Sequence, residues 1–446
     1  MGSPNYHRRI SPNHSAYCRL RGRSLVSTLS IIMRNLFLFP VFLLVALLCL
    51  TSCDDDNITT PAEPPIRTSA DLSAALTKIQ SNADAPGFGV SVVKDDVLLY
   101  QQSFGMADID ANRPYTNQTI QPIGSISKTF VAAAVVKAIE QGYFTLDTDI
   151  NDVLPLPIIN PKRPDDIIRV RHLVTHTSGL LDEEDTYTQA YHILPGEDTS
   201  SPGAQLLQGA LGIEQRATLP LEDFLADYYL PEGGLYSPDN FANTAPGTTW
   251  SYSNIATSLM AYLVEIATET SFEQYVTENI LTPLAMEQSG YQVAPFAPGQ
   301  LAQLYWDPGT PLPRYANESY PDGSLLTSNE QLAAFLTDMM RGARGESGIL
   351  FNPSGYQMLF SALLPPGMVP TDLGENQGIF WFHSGNIIRH DGSDPGTTCN
   401  LEFRTDGTAG YLLLTNMDAS TSDHAAAYFD LAQRVDDAVS EFLAAN

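Results

Sequence analysis

Positive charge is scarce in this 446-residue chain, where 23 lysines and arginines stand against 51 acids. Six of those arginines fall in the first 52 residues, which carry no acid. The rest of the chain then holds 17 basic residues against 51 acids, a net of −34. Nucleic acid binds through basic patches, so this balance excludes it as a partner. Cysteine is rarer still. Cys18, Cys49 and Cys53 belong to the N-terminal leader and its boundary, which leaves only Cys399. One cysteine supports neither a disulfide framework nor a zinc site, and within Thr397-Thr398-Cys399-Asn400-Leu401 it reads as a small strand residue. The apolar run Leu36–Leu50 is too short for a transmembrane helix, which needs about 20 residues. No Gly-x-Ser-x-Gly elbow, His-Glu-x-x-His pair or Walker loop occurs, and no cofactor is expected.

Three short motifs are present, in chain order: Ser125-Ile126-Ser127-Lys128, Tyr252-Ser253-Asn254 and His390-Asp391-Gly392. Together they hold a hydroxyl nucleophile with a lysine one helical turn away, a phenol beside an amide, and an imidazole beside a glycine. That inventory suits acyl transfer through a serine ester.

Each motif alone is weak, because the chain repeats it. Ser91-Val92-Val93-Lys94 also fits Ser-x-x-Lys, but it lies in a β-rich run where residues three apart point to opposite faces. Ser125 instead precedes an Ala-rich stretch closed by Gly142, which predicts a buried helix with Ser125 and Lys128 on one face. Its N-terminus adds a positive field for an attacking oxyanion. Tyr315-Ala316-Asn317 sits in the irregular stretch Pro311–Asp322, whereas Tyr252 follows a Pro246-Gly247 turn and feeds a core helix from Ile255. Ile387-Ile388-Arg389-His390 reads as a strand ended by Gly392–Gly396, while His383 opens a turn.

The flanks Gly-Ser-Ile-Ser-Lys-Thr-Phe, Pro-Gly-Thr-Thr-Trp-Ser-Tyr-Ser-Asn and His-Asp-Gly-Ser-Asp-Pro-Gly resemble the serine β-lactamase and D-alanyl-D-alanine carboxypeptidase family. The likeness is greatest to its class C-like branch and runs from about Leu72 to the C-terminus. The resemblance implies an α/β (α+β) fold in which both chain ends meet in one antiparallel sheet flanked by helices. An α-helical lobe forms the middle, and the site lies in the cleft between sheet and lobe. It also implies a Tyr between the other two motifs, which favours Tyr252 over Tyr115-Thr116-Asn117. By analogy, the backbone N–H groups of Ser125 and Ser393 form the oxyanion hole, and Asn254, His390, Asp391 and Gly392 contact substrate.

The expected chemistry is attack by Ser125 on a carbonyl, then hydrolysis of the acyl-enzyme. Either Lys128 or Tyr252 takes the serine proton. A neutral Lys128 needs its pKa brought from ~10.4 to about 7, roughly 4–5 kcal/mol against the charged form. Peptide, β-lactam and ester substrates all stay open, including the carboxypeptidase and β-lactamase activities proper. A sensor or binding protein that acylates without turnover is the non-enzyme alternative. Asp391 stands where family members carry a hydroxyl that holds a substrate carboxylate. Facing the cleft it would repel that group by roughly 4 kcal/mol at ~4 Å, unless it pairs with Arg389 or turns to solvent.

The local pattern predicts a helix over Ser69–Ser81, a hairpin of Gly87–Val93 and Val97–Ser103, strands Thr398–Phe403 and Gly410–Leu414, and a closing helix Asp423–Leu443. The long segment Leu181–Ala245 is expected to carry helices at Ala204–Leu211 and Leu221–Tyr228 and to shape one wall of the cleft. Within the motif Val174–Leu180, His176 reads as structural. Leu50-Thr51-Ser52-Cys53 resembles a bacterial lipoprotein cleavage box, and Met33-Arg34-Asn35 would make a complete start for such a signal. Residues 1–52 are then a signal peptide, Cys53 the lipidated anchor at the cell envelope, 53–68 an acidic tether and 69–446 the hydrolase domain.

Overall fold

The computed structural model describes residues 65–446, so the signal, Cys53 and most of the tether lie outside the described residues. Helix α1, Ser69–Asn82, opens with a reciprocal cap: the Thr68 hydroxyl accepts from the Asp71 N–H, and the Asp71 carboxylate accepts from the Thr68 N–H. Strands β1 (Gly87–Lys94) and β2 (Val97–Asp108) form a hairpin whose two turn residues, Asp95 and Asp96, both have positive φ. Such turns match the twist of paired strands. A short β3, Arg113–Pro114, lies beyond β2.

Four further helices matter to the site: α2 (Ser127–Glu140), α3 (Asn254–Thr268), α4 (Asn329–Ala343) and α5 (Ser422–Ala445). The C-terminal strands are β4 (Asn376–Gln377), β5 (Phe382–Ser384), β6 (Ile387–Asp394), β7 (Thr397–Arg404) and β8 (Ala409–Thr415). The sheet is ordered β4-β5-β6-β7-β8-β1-β2-β3, with every neighbouring pair antiparallel. The two chain ends meet at β1 and β8, where Val90 lies opposite Leu413 and Val92 opposite Tyr411.

Strand alternation gives the sheet two apolar faces. Val90, Val92, Tyr411 and Leu413 pack with α1 and α5. Val93, Leu401, Leu412 and Leu414 pack with α2, α4 and the rest of the helical lobe. Helix α2 is apolar on every side from Phe130 to Val136 and has no exposure there, as expected of a helix enclosed by protein. Phe130 stacks on Phe335 of α4 with ring centroids 4.1 Å apart. Every helix and strand predicted above forms; most ends shift by one or two residues, the usual uncertainty, while the second hairpin strand runs five residues past Ser103 to Asp108.

Two local differences bear on the site. Strand β6 does not stop at Gly392 but runs on to Asp394, and the reversal falls at Pro395-Gly396, with Gly396 at φ +79°. Gly392 is needed for close approach instead: a Cβ there would lie 2.0 Å from the Ile123 carbonyl oxygen. Ser125 does not sit inside α2. It occupies a separate one-turn 3-10 helix, Gly124–Ile126, that leads into it.

Between sheet and lobe lie two buried carboxyl groups. Asp322 Oδ2 accepts from Tyr187 Oη at 3.0 Å, from Ser258 Oγ at 3.1 Å and from the Ser319 hydroxyl. Asp394 Oδ1 accepts from Tyr191 Oη at 2.7 Å. Burial raises both pKa values, that of Asp394 to about 7. A carboxyl that holds its proton more tightly folded than unfolded stabilises fully below the ordinary carboxylate range, and that contribution is lost as pH rises through about 7. Asp394→Asn keeps an acceptor for Tyr191 without the charge. Its melting temperature, relative to wild type, should be a few degrees more favourable at pH 8 than at pH 5; an equal difference at both pH values refutes the assignment. Gly392→Ala should lower the melting temperature by several degrees. Gly209→Ala, in the helix Pro202–Leu211 with nothing within 4 Å of its added Cβ, should hold or raise it.

Candidate active site

The turn that carries Ser125 presses backbone to backbone on β6. A Cβ on Gly124, which has φ +52°, would fall 2.4 Å from the Ser393 nitrogen and 2.9 Å from the Gly392 carbonyl carbon. Two glycines therefore let the first turn of a helix lie directly against a strand. The contact brings the Ser393 nitrogen beside the turn of Ser125, at a helix start whose first N–H groups have no intrahelical acceptor. Ser125 itself is partly exposed.

Lys128 has no exposure at all. Its Nζ donates to Ser125 Oγ at 3.1 Å, to Asn254 Oδ1 at 2.6 Å and to the Asp322 carbonyl at 2.8 Å. Burial lowers its pKa, while the negative charges of Asp322, Asp182 and Asp394 act against that shift. The same Nζ stands 5.0 Å from the centroid of the Tyr252 ring. Tyr252 precedes α3, whose N-terminus is capped by Ser253 through the Ala256 N–H. Its ring lies 4.5 Å from that of His176 and 6.3 Å from that of Trp250. The first two predicted motifs thus converge on one ammonium group.

His390 is buried on the lobe face of β6, two residues from Gly392. Its Nδ1 lies 2.7 Å from the Asp391 carbonyl oxygen. A carbonyl can only accept, so Nδ1 carries the proton and Nε2 presents a lone pair. Burial and the Lys128 charge push the His390 pKa down to about 4, which leaves the ring neutral at pH 7.

Asp391 faces the other way. It lies opposite Asn400, which lies opposite Leu413 on the α1 and α5 face. There it pairs with Arg389 at 3.0 Å, its side chain 45% exposed. Alternation turns its side chain away from the face that His390 presents, so Asp391 is not beside His390 as a substrate contact, and of the two expectations for its charge the pairing with Arg389 is the one found.

The rejected motif copies are occupied elsewhere. Ser91 Oγ donates to Asn329 Oδ1 at 2.7 Å, while Lys94 reaches the Leu443 carbonyl. Tyr115 is buried against Gln121, and Tyr315 Oη donates to the Pro395 carbonyl at 2.8 Å. Cys399 is fully buried, and burial raises its pKa to about 11.

Sequence reasoning missed three contributors, all of them acids, and read His176 only as structural. Asp182 accepts from the Asn254 N–H at 2.8 Å, Asn254 Nδ2 at 2.9 Å, the Ile255 N–H at 3.0 Å and Ser253 Oγ at 3.2 Å. Asp322 supplies the third acceptor of Lys128, and Asp394 a buried charge near it. His176 Nδ1 accepts from the Ser253 N–H at 3.2 Å, so it supports the Tyr252 loop, with its own backbone at φ +55°. Only Asp182 had a signal, as the first acid of the run Asp182-Glu183-Glu184-Asp185, where it looks like surface. Asp182, Tyr187 and Tyr191 also show that the long Leu181–Ala245 segment reaches this region.

Comparison with known proteins agrees with this arrangement. The chain is 29% identical over 225 residues to Esterase EstB of Burkholderia gladioli, covering 50% of each. It is 26% identical over 218 residues to a Beta-lactamase of Yersinia enterocolitica, covering 49% of this chain and 45% of that one. The chain spans about half the length of the curated relatives it matches. The octameric penicillin-binding protein homologue from Pyrococcus abyssi shares its fold, with a TM-score of 0.62 at 22% identity over 82% of this chain and 77% of that one. Residues 72–435 match the family described as Beta-lactamase, and the chain belongs to that family.

Proposed function

We propose that this protein is a serine hydrolase of the class C-like branch, cleaving esters or amides through an acyl-enzyme on Ser125. The observation that carries the reading is the set of three acceptors around Lys128. Asn254 Oδ1 and the Asp322 carbonyl can only accept hydrogen bonds. A neutral lysine has two N–H bonds and one lone pair. In the neutral form both N–H bonds stay with those two acceptors, and the lone pair is left for the hydroxyl of Ser125, whose Oγ lies 3.1 Å from Nζ. Lys128 is therefore the base: it takes the serine proton as Oγ bonds to the carbonyl carbon. The displaced electron pair collects on the carbonyl oxygen, held by the N–H groups of Ser125 and Ser393. As that pair returns, the bond from the carbonyl carbon to the leaving group breaks, and the leaving group takes the proton from Lys128 through the Tyr252 hydroxyl. Water, giving its proton to the same base, then attacks the acyl carbon, and Ser125 Oγ leaves with that proton.

Substrate preference follows from the third motif. His390 is neutral and Arg389 is engaged by Asp391 and by the Leu373 carbonyl. Neither offers free positive charge to a substrate carboxylate, which favours small uncharged esters over β-lactams and D-alanyl peptides. The matched esterase supports that choice. We also propose attachment to the bacterial envelope through Cys53, on the strength of the Leu50–Cys53 box. Among the described residues no helix is long and apolar enough to cross a membrane.

Ser125→Ala should abolish labelling by a fluorophosphonate probe and lower ester kcat/KM by a thousandfold or more, while Ser91→Ala keeps both within tenfold. Labelling that persists in Ser125→Ala refutes the nucleophile, and one burst of product without turnover in wild type indicates a sensor. Because the base works deprotonated, kcat/KM should rise with pH through the Lys128 pKa; a rate flat from pH 5 to 9 contradicts Lys128 as base. Cys53→Ser should yield protein without N-terminal acyl chains by mass spectrometry, and recovery of acylated protein from that variant defeats the anchor.

A further inference from the structure

Asn254 can serve Lys128 only if its amide is the right way round. With Oδ1 toward Nζ it accepts; rotated by half a turn it would set two N–H bonds against the ammonium or its two N–H groups. A neutral Lys128 does not by itself enforce the choice, since its Nζ can turn its lone pair to accept from a flipped amide, and both amide ends have nearly the same shape. The enforcing group lies behind the amide. Asp182 Oδ2 accepts from Asn254 Nδ2 at 2.9 Å and from the Asn254 backbone N–H at 2.8 Å. Asp182 Oδ1 accepts from the Ile255 N–H at 3.0 Å and Ser253 Oγ at 3.2 Å. All four partners are donors, so the carboxylate is satisfied only while Nδ2 faces it.

We propose that Asp182 is a positioning residue for acylation: it fixes the amide orientation of Asn254 and thereby aims the Lys128 lone pair at Ser125. This rests on the hydrolase reading above. The carboxylate also closes the N-terminus of α3, where first-turn N–H groups and the helix dipole favour negative charge. One side chain thus starts the helix and sets the polarity of the site at its first residue.

A purely structural cap and a polarity-setting residue differ in one respect. Asp182→Asn places an NH2 among four donors. Turned toward Asn254, that NH2 is satisfied only if the Asn254 amide flips and offers Nδ2 to Lys128. Asn254→Asp in that background restores the pattern, because one oxygen of the new carboxylate then accepts from the amide introduced at position 182 and the other from Lys128. In the wild-type background the same Asn254→Asp change sets two carboxylates against each other.

The experiment measures acylation by a p-nitrophenyl ester in single turnover, along with KM, for wild type and the three variants. Asp182→Asn should acylate at least thirtyfold more slowly with KM changed less than threefold. The double variant Asp182→Asn/Asn254→Asp should be at least tenfold faster than Asp182→Asn and faster than Asn254→Asp alone. Acylation by Asp182→Asn within threefold of wild type overturns the proposal. So does a double variant no faster than Asn254→Asp. If Asp182→Asn does not fold, the last comparison decides alone. Absence of ester acylation at Ser125 in wild type would instead refute the hydrolase reading itself.

Discussion

A lysine with no access to water has to find its acceptors inside the protein, and the architecture around Ser125 is organised by that need. Lys128 draws one acceptor from each of three places in the chain: the turn before α2, the start of α3, and the loop at Asp322. An unpaired buried ammonium is costly, so these three segments are bound to one arrangement. Burial that enforces the arrangement also lowers the lysine pKa, which favours a base. Asp322, Asp182 and Asp394 nearby act against that shift.

The second constraint is steric. Gly124 and Gly392 have no Cβ atoms, and a helix start therefore touches a sheet strand through backbone alone. That contact joins lobe to sheet and places the Ser125 and Ser393 segments side by side. The rest of the fold holds these partners still, through α2 enclosed by apolar side chains on one side and the β1–β8 pairing of the chain ends on the other. Ser125, Lys128 and Asn254 sit at the starts of rigid elements, with a loop supplying Tyr252.

Much of this was legible in the residues. The Ser91 copy of the motif could be set aside because strand geometry separates Ser91 from Lys94, and the two do bond to different partners. Ser125 and Lys128 could be paired from helical spacing, although the helix proper begins two residues later than expected. Asp391 shows the limit. Its neighbours name it as part of a motif, but only the register of β6 on β7 and the partner Arg389 reveal which face it occupies.

By itself the sequence determined the local order: which stretches are helix or strand, and which serine precedes a buried helix. Spacing and side-chain chemistry carry that information because their effects act over a few residues. Tertiary structure alone decided which charges meet. Asp182 is 72 residues from Asn254, and Asp322 is 194 from Lys128. An acid that caps a distant helix reads, along the chain, like any solvated carboxylate. Its role arises when folding removes water and leaves only the donors that the packing has brought to it.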